Sequence, residues 1–202
     1  MRTSLVAVAI LVMTLPVLGQ GGGVTADGWK TRLDRGTNVQ DLSFRSMGDG
    51  FHVTTGPHAI FWNAANSGSG SYTASATFMQ TKPSSHPNSY GLFVGGTDLD
   101  GDGQAYTYFL IRETGEFLIK KRMGSETANV TDGWARHDAV NALENGQSRN
   151  TLSIDVGASV VRFLANGTEV ASVPKTGLSL DGVTGVRFSH QLDVHVADLT
   201  VG

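Results

Sequence analysis

The chain has 202 residues, a formal net charge of -3 at pH 7 and no cysteine. The absence of cysteine excludes disulfides and thiolate metal sites, so a hydrophobic core has to hold the fold together. The small negative charge, without any run of basic residues, argues against a nucleic acid as partner.

The beginning of the chain has the pattern of a secretory signal peptide. Arg2 supplies a positive start, and residues 5–18 are almost purely apolar. This run is shorter than the ~20 residues that span a bilayer comfortably. We therefore predict a signal peptide at 1–19, cleaved after Gly19, and a secreted or periplasmic protein that does not insert into a membrane after cleavage. An uncleaved membrane anchor is the alternative.

The rest of the chain has the turn pattern of an all-β protein, because many of the 26 glycines separate short apolar segments. We predict a flexible lead at 20–27 and a single domain at 28–202. About eleven strands are expected from apolar runs bounded by turn residues. They lie at 50–55, 58–62, 71–80, 90–94, 105–112, 116–122, 151–156, 160–165, 169–173, 183–189 and 192–201. One helical turn is expected at 139–143.

Three local patterns support this assignment. The pair Asn166-Gly167 is typical of a two-residue hairpin turn, because both positions of that turn need a positive φ. In 192–199 apolar and polar residues alternate, as in a strand with one face on a core. The hairpin 106–122 is apolar on both faces near its turn, which indicates a central strand pair covered on both sides. Two packed antiparallel sheets would bury such strands, so we predict an antiparallel β-sandwich.

The segment 98–103 places carboxylates at alternate positions of a glycine-rich loop: Asp98, Asp100 and Asp102. Calcium prefers several hard oxygen ligands, and glycines allow them to converge. The first half matches the calcium loop of helix-loop-helix proteins, but the late glutamate of that loop is replaced by Phe109, and strands flank the segment. Calcium is therefore a possible cofactor of this loop, and a solvated Asp/Gly turn is the alternative.

Aromatic residues near polar ones suggest a carbohydrate site, because sugar rings stack on aromatic faces while their hydroxyls pair with polar side chains. Core packing is the alternative for each aromatic residue. The candidate ligand-binding residues are Trp62, Asn63, Tyr90, Tyr106, Tyr108, Arg112, Trp134 and His137.

The central hairpin also carries three cations, Arg112, Lys120 and Arg122. They could pair with acidic sugars or with the nearby glutamates Glu113 and Glu116, and an ordinary role as surface charges is favoured. The six histidines lack a metal-ligand spacing, so zinc is a minor possibility.

Catalytic motifs are scarce. The chain lacks a Gly-x-Ser-x-Gly elbow, a cysteine nucleophile and the Glu-x-Asp-x-x-Glu strand motif of sandwich glycosidases. Catalytic residues therefore stay unassigned.

Several segments resemble the concanavalin A-like lectin/glucanase superfamily, and within it exported bacterial domains related to the 3-keto-disaccharide hydrolase family. These segments are 90–96, 106–112, 115–120, 161–167 and 185–190, and they span most of the chain from about Trp29 onward. The resemblance implies a jelly roll of two curved sheets and carbohydrate as the ligand class. The chain departs from the keto-sugar family in lacking its Phe-Asp-Gly-Lys opening.

Our leading hypothesis is an exported, non-catalytic, lectin-like module that binds an oligo- or polysaccharide. A glycoside-acting hydrolase or lyase of the 3-keto-disaccharide type is the second hypothesis, and it predicts that acidic side chains converge with histidine or arginine in one pocket. A structural or adhesion domain is the third, and it predicts a flat surface without such a pocket.

Overall fold

The computed structural model describes residues 23–24 and 26–202, so the predicted signal peptide lies outside the described residues. It contains sixteen strands. They are β1 (Gly23–Val24), β2 (Trp29–Leu33), β3 (Leu42–Met47), β4 (Gly50–Thr55), β5 (Ala59–Gly68), β6 (Tyr72–Gln80), β7 (Ser89–Thr97), β8 (Ala105–Arg112), β9 (Glu116–Met123), β10 (Glu126–Asn129), β11 (Ala135–Arg136), β12 (Ser148–Val156), β13 (Val160–Ala165), β14 (Thr168–Pro174), β15 (Gly182–Phe188) and β16 (Leu192–Val201). In these described ranges, no helix has the length and hydrophobicity that crossing a membrane requires.

The strands form two sheets. Sheet A has the order β1-β3-β4-β16-β6-β12-β13-β14, and sheet B has the order β10-β9-β8-β7-β15-β5-β2 with β11 beside β9. The pairs are antiparallel, apart from the parallel pair of β1 and β3. The prediction of an all-β antiparallel sandwich is confirmed.

A hydrophobic core fills the space between the sheets, because alternate residues of each strand point to it. On β16, Leu192, Val194 and Val196 are buried, as their alternation predicts. Aromatic rings from both sheets meet in this layer, such as Phe78 of sheet A and Phe188 of sheet B, whose centroids are 6.3 Å apart. The core thus joins strands that are distant in sequence.

The Asn166-Gly167 turn is confirmed, since its two residues have φ values of 50° and 81° between β13 and β14. The helical turn expected at 139–143 is wrong. This segment is an irregular turn in which the Val140 N–H donates to the carbonyl of His137 at 3.0 Å. Sequence reasoning also missed five strands, which are short or largely polar: β1, β2, β3, β10 and β11.

The prediction of a flexible lead at 20–27 needs correction for its described part. Gly23 and Val24 pair with Ser43 and Phe44 of β3, and Ala26 is buried in the core. Backbone pairing and burial hold this segment on sheet A, so the sandwich begins before Gly28.

Phe163 tests the core. Its ring is fully buried and contacts Phe109 of the opposite sheet at a centroid distance of 5.6 Å. We expect Phe163→Ala to lower the free energy of unfolding by about 3–5 kcal/mol, because it leaves a cavity between the sheets. Chemical denaturation measures this change. As a control, Met123→Ala removes a side chain that is 62% exposed, and its effect should stay within about 0.5 kcal/mol.

Candidate functional site on the outer face of sheet B

Strand β8 is buried on both faces. Phe109 and Ile111 point into the core between the sheets, whereas Tyr106, Tyr108 and Leu110 point to the outer face of sheet B. There they join a second apolar cluster, which we call the outer-face cluster. It consists of Ile60, Trp62, Phe93, Leu99, Tyr106, Tyr108 and Leu110. The prediction that the hairpin is covered on both sides is confirmed for β8.

The aspartate loop (residues 98–103) covers one part of this cluster. Its Leu99 side chain is buried among the cluster residues. Arg32 of the edge strand β2 donates from Nη1 to the carbonyls of Leu99 and Gly101, at 3.1 and 2.5 Å. Lys30 pairs with Asp100 at 2.7 Å. Two cations of β2 therefore hold the loop against the sheet.

The three predicted calcium ligands have separate surroundings. The Asp98 carboxylate accepts the N–H of Gly103 at 2.9 Å, Asp100 pairs with Lys30, and the Asp102 side chain is fully exposed. Among the described residues, these carboxylates do not form a group that could hold a metal ion as placed. Joint coordination would require Asp100 to leave Lys30 and Asp102 to turn inward. Calcium binding by this loop stays a prediction.

Next to the aspartate loop, a partly buried ion pair crosses the outer face. The guanidinium of Arg187 on β15 donates to both carboxylate oxygens of Asp34, from Nη1 to Oδ1 at 3.0 Å and from Nη2 to Oδ2. Nη1 also donates to the Tyr106 hydroxyl at 3.0 Å, and the guanidinium lies 5.1 Å from the Tyr108 ring centroid. Such a bidentate pair is geometrically specific, so it fixes Asp34 to the guanidinium that contacts both tyrosines.

Two further cations on the same face come from β9. They are Lys120 and Arg122, which lie opposite Tyr108 and Tyr106 in the sheet register. The Arg122 side chain is 11% exposed, and its Nη2 lies 3.6 Å from Oδ1 of Asp34. Its Nη1 makes a long bond of 3.4 Å to the carbonyl of Gly124. Its buried Nε has no hydrogen-bond partner among the described residues.

We call this group the cation site: Asp34, Tyr106, Tyr108, Lys120, Arg122 and Arg187. Two arginines pair with the Asp34 carboxylate, and Lys120 lies close enough to feel the charge of both arginines. The site therefore carries an excess of positive charge in a poorly hydrated place. Burying an N–H donor without a partner costs about 1–3 kcal/mol. The arrangement is suited to an additional anion.

Charge and burial shift the pKa values of the cation site. Burial alone would raise the pKa of Asp34, but the hydrogen bond and charge of Arg187, with the charge of Arg122, lower it. Burial lowers the pKa of Lys120, and the charges of Arg187 and Arg122 lower it further. Burial raises the pKa of Tyr108 to about 12, although Arg187 acts in the opposite direction. The tyrosines therefore stay protonated and Asp34 stays ionised near neutral pH.

Two surface cavities open beside the cation site, and the Asp34 side chain, which is 24% exposed, lines both. One has a volume of about 430 Å³ and includes Arg32 and Asp100. The other has a volume of about 400 Å³ and includes Pro57 and His58. Asp34 is the member of the cation site that lines them, so a ligand in either cavity would contact the site at this carboxylate.

Three histidines stand next to the second cavity. Nδ1 of His190 lies 2.8 Å from Nε2 of His58, and the ring of His86 is centred 4.6 Å from that of His190. Burial lowers the pKa of His58, although Asp34 acts to raise it. Sequence reasoning did not bring these residues together. His195, by contrast, lies on sheet A, where its ring is 6.3 Å from that of His52.

Trp134 covers the other part of the outer-face cluster. Its partly exposed ring packs against the cluster, and the guanidinium carbon of Arg112 lies 4.5 Å from the ring centroid. Arg112 also forms a bidentate pair with Glu116, at 2.8 and 2.6 Å. Arg112 therefore pairs with Glu116, one of the two glutamates considered for it.

The remaining predicted ligand-binding residues are scattered. Tyr90 needs correction as a stacking residue, because its ring is 0% exposed in the core between the sheets and its hydroxyl lies 3.1 Å from Ser148 Oγ. Trp62 is buried in the outer-face cluster, and Asn63 beside it accepts the N–H of Ala65 at 3.0 Å. His137 lines a separate polar cavity of about 550 Å³.

Asp34 and Arg187 were missed by sequence reasoning. A signal existed for Arg187, because it stands between Val186 and Phe188 in a predicted apolar strand and alternation turns it to the other face. No local signal existed for Asp34, since the strand before it was not predicted and its partner is 153 residues away.

No family model matches the chain, and no curated protein matches it. Solved structures of similar shape exist. The carbohydrate-binding module CBM66 from Bacillus subtilis has a TM-score of 0.64 at 10% identity, covering 86% of this chain and 94% of that one. A Bacteroides ovatus mixed-linkage glucan GH16 protein in complex with a product has a TM-score of 0.61 at 8% identity, covering 89% and 97%.

An alginate lyase from a Corynebacterium species has a TM-score of 0.53 at 13% identity, with 87% of this chain and 93% of that chain covered. At these identities the likeness concerns the fold. The chain has the concanavalin A-like jelly-roll fold, as its resemblance implies.

Asp34→Asn tests this partly buried ion pair. Removing the charge leaves Arg187 and Arg122 without their counter-ion, so we expect a loss of about 3 kcal/mol in the free energy of unfolding, measured by chemical denaturation. Asp102→Asn is the matched control, because that side chain is fully exposed. Equal effects of the two variants would contradict the importance of the pair.

Stability should fall in two steps as the pH is lowered. Burial lowers the pKa of His52 and His58 below 6.5, so the unfolded chain takes up protons first and stability falls below about pH 6.5. The lowered pKa values of Asp34 and Asp193 add a second loss below pH 3.8. Urea denaturation across this range measures both steps, and His58→Gln should reduce only the first.

Proposed function

We propose that this protein is an exported, non-catalytic carbohydrate-binding module that receives an oligo- or polysaccharide on the outer face of sheet B. The observation that supports this most is the placement of Trp134 and the cation site on one face. Trp134 offers a partly exposed aromatic ring, on which a sugar could stack where Arg112, whose guanidinium lies over it, gives way. Lys120, Arg122 and Asp34 offer charged groups on the same face. A sugar needs this combination of an apolar surface and directed polar partners.

The fold is compatible with such a role. A carbohydrate-binding module and a GH16 protein with a bound glucan product share it. Because one fold hosts many functions, this likeness supports the proposal without assigning a ligand.

An enzyme acting on glycosides is the second candidate, and one observation favours it. The Asp34 carboxylate converges with two arginines and is accompanied by the Tyr106 hydroxyl, which is the kind of pocket that this hypothesis predicts. However, Asp34 is held in a bidentate pair and its pKa is lowered, so it is a poor proton donor and a weak base near neutral pH. Release of products from oligosaccharides, 3-keto-disaccharides included, would favour the enzyme.

A structural or adhesion domain without a small ligand predicts a flat surface. The two cavities that Asp34 lines weigh against it. Export rests on the pattern at 1–19, and sequencing the N-terminus of the secreted protein would test it, with Gln20 as the expected first residue.

Binding to a broad glycan array is the first experiment, with Trp134→Ala and Trp134→Phe as a matched pair. We expect Trp134→Ala to weaken binding roughly tenfold, because it removes the stacking surface. Trp134→Phe keeps an aromatic face and should retain most of the affinity. Absence of binding to every glycan, or equal binding by both variants, would contradict the proposed site.

The same array in calcium and then in EDTA tests the aspartate loop. Loss of binding in EDTA would support calcium at this loop. Unchanged binding and an unchanged melting temperature would mean that Lys30 and Arg32 suffice to hold it.

A further inference from the structure

We infer that the saccharide is acidic, and that Lys120 and Arg122 receive its carboxylate or sulfate group. This inference rests on the proposed function, because it names the chemical class of ligand for the same outer face. It concerns two residues of β9 that the ion pair of the cation site leaves incompletely satisfied.

The ion pair itself is closed to a ligand. Arg187 uses both terminal nitrogens on the two oxygens of Asp34 and a third bond on Tyr106. Its side chain is 9% exposed, so an incoming anion meets Arg187 only after Asp34 is displaced. The free capacity for an anion lies elsewhere in the site.

Arg122 supplies that capacity. Its residue is nine-tenths buried, its Nη2 is 3.6 Å from Asp34, and its Nε donor has no partner in the described part of the chain. A guanidinium binds carboxylate and sulfate oxygens through two parallel N–H donors, and Nε with one terminal nitrogen forms such a pair. A ligand oxygen would satisfy this buried donor, although it has to displace the groups that now cover Nε.

Lys120 is the second receptor. It lies on the same face of β9 as Arg122, opposite Tyr108, and it is partly exposed. Lys120 faces no carboxylate in the ion pairs that the described residues form. An ammonium at the accessible side of a buried arginine attracts an anion and completes its coordination.

The balance of charges in the cation site also favours an acidic ligand. The cation site holds Arg187, Arg122 and Lys120 against the single carboxylate of Asp34. A neutral sugar would leave this excess of positive charge uncompensated, whereas an acidic group on the bound sugar would reduce it. The structural alternative is that Arg122 only closes the Asp34 pair, in which case Lys120 has no role in binding.

The test compares binding of the full protein to three probes: a polyuronate such as alginate oligosaccharides, a sulfated oligosaccharide and a neutral glucan oligosaccharide. We expect the acidic probes to bind, and their dissociation constants to rise with ionic strength because charges on the ligand are screened. The two acidic probes separate carboxylate from sulfate as the preferred group.

Lys120→Met should weaken binding of the preferred acidic probe by roughly tenfold, as expected for a lost charge-assisted contact. Lys121→Met is the matched control, because the side chain of the neighbouring Lys121 lies on the opposite face of β9 and donates to the carbonyl of Gly177. Arg122→Lys keeps the charge but removes the paired donors, so it should weaken binding with a smaller change in salt dependence.

Each outcome decides between the proposals. Binding of the neutral probe alone, or equal effects of Lys120→Met and Lys121→Met, would overturn this inference and leave the carbohydrate-binding function standing. Absence of binding to all three probes would overturn both. Denaturation curves of each variant show whether a loss of binding comes from a loss of folding.

Discussion

The outer face of sheet B depends on the bidentate pair between Arg187 and Asp34. A guanidinium in the middle of a sheet face is costly to bury, and it is tolerated because a carboxylate, a phenol hydroxyl and an aromatic ring surround it. In return the pair draws the chain after β2 over the sheet. The position of Asp34, and with it the two cavities, follows from this one interaction.

The second constraint is the apolar outer surface of β8. Tyr106, Tyr108 and Leu110 require cover from water, as do Phe109 and Ile111 on the other side. The aspartate loop provides cover through Leu99, and the loop before β11 provides it through Trp134. The candidate site therefore lies between the aspartate loop and Trp134, and it combines the apolar outer surface of β8 with charged side chains.

The sandwich could be predicted because its signals are local. Alternation in 192–196 and the Asn166-Gly167 turn depend on neighbours in sequence, and both are realised as expected. The site could be predicted only in part, because its decisive contacts join distant segments. The carboxylate of Asp100 is visible in the sequence, but its partner Lys30 is 70 residues away. The sequence around Tyr90 does not distinguish a ligand-binding tyrosine from a core tyrosine. Only the packing of the two sheets shows that Tyr90 belongs to the core.

Strand β2 links the parts of the outer face mechanically. In the described sheet order it stands at one edge of sheet B and pairs with β5. An edge strand costs less free energy to detach than a strand held on both sides. Lys30, Arg32 and the residue that follows the strand by one position, Asp34, hold the aspartate loop and the buried guanidinium. Local unfolding of β2 would therefore release both at once, so amide exchange in the aspartate loop and around Asp34 should report one shared opening event.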